Sequence, residues 1–157
     1  GYVLNEVVRL MLERDREGVC EPRVVVAIDE MADLVVAGGR SLARSITRLT
    51  QRGREAGIHV LGCTQKPTVA AIGSLVKSNF PLRLVGSVAS PEDAKVATGL
   101  AQTGAERLLG QGGFLAQGNT TVSPFNCCTP EKMMLHAILW LLGDARASFL
   151  LVCSTLL

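Results

Sequence analysis

The stretch Val24-Val25-Val26-Ala27-Ile28-Asp29-Glu30 constrains this chain more than any other. Five apolar residues, most of them β-branched, run without a break into two adjacent carboxylates. Such a run predicts a strand buried on both faces of a parallel sheet. Open α/β sheets bind their ligands outside the carboxyl edge, which is where the acids ending this strand would lie. A buried strand followed by a solvated acidic turn explains the same residues, so the stretch needs partners elsewhere before it carries chemistry.

Composition narrows the fold. The 157 residues suffice for one domain with its own core. A hydrophobic content of 48% excludes a disordered tail. Aromatics are only 4%, so the core is built from Val, Leu, Ile and Ala, and with 16 glycines this favours α/β over a β-sandwich. A net charge of +2 does not by itself indicate nucleic acid. The five cysteines, Cys20, Cys63, Cys127, Cys128 and Cys153, form no Cys-x-x-Cys pair and are odd in number, which favours buried thiols in a reducing compartment over a metal site. His59 and His136 sit in apolar segments and read as packed or surface residues. The opening Gly1-Tyr2-Val3 has no basic leader and no initiator Met, the mark of a fragment without a signal peptide. The longest apolar run, 133–142, falls short of the roughly 20 residues that span a bilayer.

Periodicity and punctuation predict a helix over 3–16, stopped by Gly18, and the first strand over 24–28. Gly38-Gly39 breaks the chain, and Ser41 caps a helix over 41–56 with arginines 44, 48, 52 and 54 off its apolar face. A buried strand over 58–63 runs into the polar loop 64–68, followed by a short helix over 69–77 and a third strand over 82–88. Ser90-Pro91-Glu92-Asp93 is a helix start, with Pro at the first position and acids in the first turn. A turn over 110–113, a strand at 114–116, an extended segment over 120–128 and a last helix over 129–142 complete the pattern. The alternation predicts a parallel sheet of βαβ units. The tail from 143 has no clear role, though its apolar run 149–153 suits an edge strand.

Three strand ends thus carry polar groups: Asp29-Glu30, Thr64-Gln65 and Arg83. An acid pair, a Thr/Gln pair and an arginine are the parts that phosphoryl transfer uses for Mg²⁺ support, water orientation, phosphate sensing and charge neutralisation. The segments around them look like one family. Asp29-Glu30-Met31-Ala32-Asp33-Leu34, Ile46-Thr47-Arg48-Leu49-Thr50-Gln51-Arg52-Gly53-Arg54-Glu55-Ala56-Gly57-Ile58-His59 and Thr64-Gln65-Lys66-Pro67-Thr68 closely resemble FtsK/SpoIIIE DNA translocases. Lys77-Ser78-Asn79-Phe80-Pro81-Leu82-Arg83 and Gly104-Ala105-Glu106-Arg107-Leu108-Leu109-Gly110 fit the same family in order and spacing.

The resemblance implies a RecA-like P-loop NTPase core over 1–142, the later part of a motor domain that uses ATP and Mg²⁺ to move double-stranded DNA. It implies a cytoplasmic hexameric ring without direct membrane contact by this segment, working in chromosome segregation and cell division. It assigns Asp29 to Mg²⁺ support as the Walker B acid and Glu30 to water activation. Thr64 and Gln65 fall at the nucleotide, with Gln65 coupling its γ-phosphate to the DNA-facing parts. Arg83 becomes a finger reaching a neighbouring subunit, and Lys95 lies in a basic DNA-contacting loop. Phosphate contacts of that kind are independent of sequence and sensitive to salt.

Departures are visible too. No stretch of the 157 residues has the Gly-rich spacing ending in Gly-Lys-Ser/Thr, so the chain alone is expected to be inactive, with the P-loop lying upstream. Lys66 stands where Arg is usual, and Gly113 where Asp is frequent. A conjugative, plasmid or phage DNA-transfer ATPase, or a ring partner that does not hydrolyse ATP, are the alternative readings.

Overall fold

A computed structural model describes residues 2–65, 79–110, 112–118, 122–126 and 149–152. The predicted helices over 69–77 and 129–142, together with Lys66, Cys127, Cys128, His136 and Cys153, lie outside the described residues. The elements run α1 (Tyr2–Glu17), β1 (Val24–Ile28), α2 (Met31–Arg52), β2 (Ile58–Thr64), β3 (Leu82–Val85), α3 (Pro91–Thr98), β4 (Gly113–Gln117), β5 (Val122–Asn126) and β6 (Phe149–Val152).

The helices form where the sequence repeats apolar residues at helical spacing. Leu4, Val8 and Met11 make one buried stripe on α1, and Leu42, Ile46 and Leu49 make another on α2. These stripes join Ile58, Val60 and Phe80 in one core. Each such aliphatic side chain contributes about 1.5–3 kcal/mol on burial. Arg52 Nη2 donates to Asp15 Oδ2 at 2.5 Å and ties the exposed sides of the two helices together.

The expected break at Gly38-Gly39 is present: it divides α2 into a first helical segment, which the sequence did not predict, and a second that runs to Arg52. Gly39 takes φ 59° and ψ −156°, a conformation open to glycine. Met31 and Ala32 are buried, and Leu34 and Val35 pack on the core, so the residues straight after the acid pair are held helical. The arginines of the helix are exposed, as a solvated face requires; Arg44 and Arg48 line an open cleft of about 550 Å³ with Asn5, Ser41, Ser45 and Thr47.

The sheet has the order β1-β2-β6-β3-β4-β5. β1, β2, β6 and β3 are mutually parallel, whereas β4 pairs antiparallel with β3 and β5 antiparallel with β4. The sheet is therefore mixed rather than wholly parallel. Two further expectations change. β1 ends the sheet among the described strands, and its Ala27 is exposed, so it is not buried on both faces. Its apolar run matched the pattern of a central strand because Val24 and Val26 pack against the core. β2, with all seven residues buried, is the central strand that pattern describes. The tail strand β6 is not at an edge. It lies between β2 and β3, pairing Leu61 with Phe149 on one side and Leu82 with Phe149 on the other. Four consecutive apolar residues, Phe149-Leu150-Leu151-Val152, suit that place. Among the described residues no helix is long and apolar enough to cross a membrane.

Candidate active site

β1 and β2 are adjacent and parallel, with Ile28 opposite Gly62. That register carries the residues following each strand to the same carboxyl edge. Asp29 and Glu30 leave β1 just as Cys63, Thr64 and Gln65 finish β2. Glu30 then serves as the N-cap residue of α2, its carbonyl accepting from Leu34 N at 3.1 Å. Its side chain makes no capping bond to the helix. It crosses to β2 instead, where one carboxylate oxygen accepts a short hydrogen bond from Thr64 Oγ1 and the other accepts from Gln65 N at 3.0 Å. One hydroxyl and one backbone amide thus fix the carboxylate in both position and rotation. Thr64 is buried, Glu30 half-buried and Gln65 exposed, so the pair is anchored from the protein side and open on the other.

Asp29 is exposed beside it. The thiol of Cys63 reports how near the two acids are. Burial, then the negative charges of Asp29 and Glu30, push it up from 9.0 to about 11. Sequence reading treated Cys63 as a packing residue and missed this neighbourhood. The signal was its place one residue before Thr64, on the strand that pairs with the acid-bearing one.

The other two predicted residues lie apart. Arg83 is the second residue of β3, level with Leu150 of β6 and hence with Gly62 of β2. It is three strands from β1, roughly 14 Å at ordinary strand spacing. This corrects the expectation of a residue at a strand end. Only 8% of Arg83 is exposed, and its guanidinium donates from Nε to Phe80 O at 2.9 Å and from Nη1 to Thr98 O at 2.6 Å. Burial holds its pKa below the ordinary arginine value. Lys95 is exposed on α3, whose start is capped by Ser90 Oγ accepting from Asp93 N at 3.1 Å. Lys95 thus lies on the helix that Ser90-Pro91-Glu92-Asp93 predicts, within the segment the resemblance assigns to DNA contact. The structure brings Asp29, Glu30, Thr64 and Gln65 together and leaves Arg83 and Lys95 on a second assembly around α3.

The donor set suits a hard divalent cation. Mg²⁺ is commonly held by one or two carboxylates together with substrate phosphates and water rather than by an all-protein cage. Asp29, Glu30 and the Thr64 hydroxyl supply oxygens of that type, and among the described residues no group of three or more His, Cys, Asp or Glu forms a closed cage.

A parallel strand pair that brings two acids and an ordered Thr/Gln pair to its carboxyl edge places this chain among the α/β proteins with polar groups gathered at that edge. The class narrows on comparison with known proteins. Residues 2–69 match the model of the FtsK/SpoIIIE family, so the chain carries sequence of that family through both strands of the site. It is 42% identical over 109 residues to the DNA translocase FtsK of Leptospira interrogans, 69% of this chain and 11% of that protein. It is 44% identical over 100 residues to FtsK of Rickettsia typhi, 64% of this chain and 13% of that protein. It is 40% identical over 120 residues to FtsK of Staphylococcus aureus, 76% of this chain and 15% of that protein. The chain therefore spans a small part of the length of these relatives. In fold it is similar to the conjugation coupling protein TcpA of pCW3, solved as a monomer with ATPγS. The TM-score is 0.71 at 19% identity, covering 91% of this chain and 48% of that one.

Proposed function

We propose that this chain is part of an ATP-driven motor that moves double-stranded DNA in the cytoplasm, most directly during chromosome segregation and cell division. One observation carries the reading: the Glu30 carboxylate is held by Thr64 Oγ1 and Gln65 N at the carboxyl edge of a parallel strand pair. In this reading Glu30 orients the attacking water. Its two hydrogen bonds hold the carboxylate in place, so little reorganisation is needed when the water is polarised. Asp29 sits where it can hold Mg²⁺ through oxygen or bound water, and when bound the cation neutralises charge on the phosphates. Thr64 anchors Glu30. Gln65, whose backbone binds Glu30 while its side chain is exposed, senses the terminal phosphate. Lys95 contacts DNA phosphates from α3. The phosphate-cradling Gly-Lys-Ser/Thr loop, which these 157 residues lack, belongs in this reading to the rest of the full-length protein, assembled as a hexameric ring.

The test is ATP turnover by the full-length protein with and without linear duplex DNA, at two salt concentrations. DNA-stimulated turnover that weakens with salt is expected. Glu30→Gln keeps ATP and DNA binding and abolishes turnover, since only the water-orienting charge is lost. Turnover unchanged in that variant removes the assignment. No turnover in the parent protein, with DNA or without, favours a ring partner that does not hydrolyse ATP.

A further inference from the structure

Arg83 has a place in the molecule that the proposed reaction does not use. It is a buried cation on a central part of the sheet, and its two described hydrogen bonds run to different elements. Nε reaches back to Phe80 O, just before β3, while Nη1 reaches Thr98 O, at the last turn of α3. The final carbonyls of a helix have no partner within the helix, and a positive charge at that end is favourable. The surroundings fit this contact closely. Gly99 ends α3 with φ 78°, and a Cβ built on it would lie 2.6 Å from Arg83 Nη1. The backbone conformation there favours glycine, and a side chain at this position would have to displace the guanidinium. Thr98, 1% exposed, donates its hydroxyl to Ala94 O at 2.7 Å and accepts from Leu100 N at 3.2 Å, which closes the same turn. Lys95 lies within that turn, and its carbonyl accepts from Gly99 N at 2.8 Å.

We infer that Arg83 is a positioning residue, a strut that fastens the C-terminal end of α3 to β3 and so holds Lys95 in a set place on the sheet that carries Glu30. The inference rests on the proposed contact of Lys95 with DNA. It assigns Arg83 to the use of DNA within its own chain, not to catalysis in a neighbouring one. A long side chain on a loosely held eight-residue helix would meet phosphates only after ordering the helix. Fastening the helix in advance removes that cost from binding.

The experiment compares basal and DNA-stimulated ATP turnover in the full-length protein for Arg83→Ala, Gly99→Ala and Lys95→Ala, each normalised to bound nucleotide. Arg83→Ala is expected to keep basal turnover, to lower the stimulated rate several-fold and to raise the duplex concentration needed for half-maximal stimulation. Gly99→Ala keeps every charge but places a methyl group 2.6 Å from Nη1, pushing the guanidinium off Thr98 O, and it should give the same split. It also keeps the test decisive if Arg83→Ala fails to fold. Lys95→Ala should move the half-maximal duplex concentration in the same direction. Equal loss of basal and stimulated turnover in Arg83→Ala and Gly99→Ala would reduce Arg83 to a general packing role and overturn the strut. Loss of basal turnover that is restored by mixing Arg83→Ala with Glu30→Gln subunits would make Arg83 a finger acting between subunits, and also overturn it. If the parent protein shows stimulation but Arg83→Ala retains it in full, only the strut fails. If the parent shows none, the proposed function fails and takes the strut with it.

Discussion

At Thr64 a single hydroxyl decides how Glu30 is held. Thr64→Val keeps the shape of the side chain and removes its donor, leaving one carboxylate oxygen without its partner from β2. The expected cost is about 1–3 kcal/mol of stability, because the lost bond serves a charged group. In the full-length protein turnover should fall more than nucleotide binding. A melt together with a titration of bound nucleotide separates the two effects, and equal loss of both would deny Thr64 an orienting role. Next to it, Cys63 supplies a pH signature. Its folded pKa is raised from 9.0 to about 11, so the folded chain binds this proton more tightly than the unfolded one. The stabilisation is complete below pH 9 and lost as pH rises towards 11, on the order of 3 kcal/mol for a shift of that size. Denaturant titrations from pH 8 to 11 should show this fall, and Cys63→Ala should flatten it. A thiol reagent near pH 8 should label exposed Cys20 well before Cys63. The residues of the site were legible in sequence where a strand ended in polar side chains, since the fold itself carries such ends to one edge. Arg83 was not. Whether the second residue of a four-residue strand faces an edge or a buried helix end depends on register and on α3, neither of which a local pattern contains.

The elements divide in the same way. α3 could be read from its first turn, because Ser90, Pro91, Glu92 and Asp93 act locally. Ser90→Ala should cost about 1 kcal/mol through loss of the cap alone. The start of α2 could not be read. Gly38-Gly39 marks a real break, but the helical segment before it forms because Met31 and Ala32 are buried on the core, which no local pattern shows. At the other end, the turn from α2 into β2 rests on Gly57. It takes φ 68°, and a Cβ there would come within 1.9 Å of Cys20 O, an immovable backbone atom. Ile58, the next residue, begins the strand that bears Thr64. Gly57→Ala combines an unfavourable left-handed conformation with overpacking, and each effect costs about 1–3 kcal/mol. A melting point far below that of the parent is expected. A near-parental value would mean that the 20–22 segment gives way easily, and that the turn does not set the position of β2.

On the scale of the whole molecule, the fold depends on its last described strand. The α/β class was legible from the alternation of elements, but the order of strands was not, because pairing between residues far apart in sequence leaves no periodic mark. β6 occupies the slot between β2 and β3 and pairs with both, Thr64 facing Val152 on one side and Val85 facing Val152 on the other. Thus the strand that places Thr64 beside Glu30 is itself supported by residues more than eighty positions later. An edge strand has one row of backbone groups free and can accept proline there; a strand paired on both sides cannot. Leu150 faces Gly62 in one neighbour and Arg83 in the other. Leu150→Pro is therefore expected to abolish the cooperative melt of the chain, while Ser123→Pro in β5, at the opposite end of the described sheet, should cost much less. Removing residues 149–157 should be worse still, since it leaves β2 and β3 with two unpaired edges in the middle of the sheet and invites association between chains, measurable by sedimentation. Parental melting of Leu150→Pro would return β6 to an edge and release both Thr64 and Arg83 from their shared support.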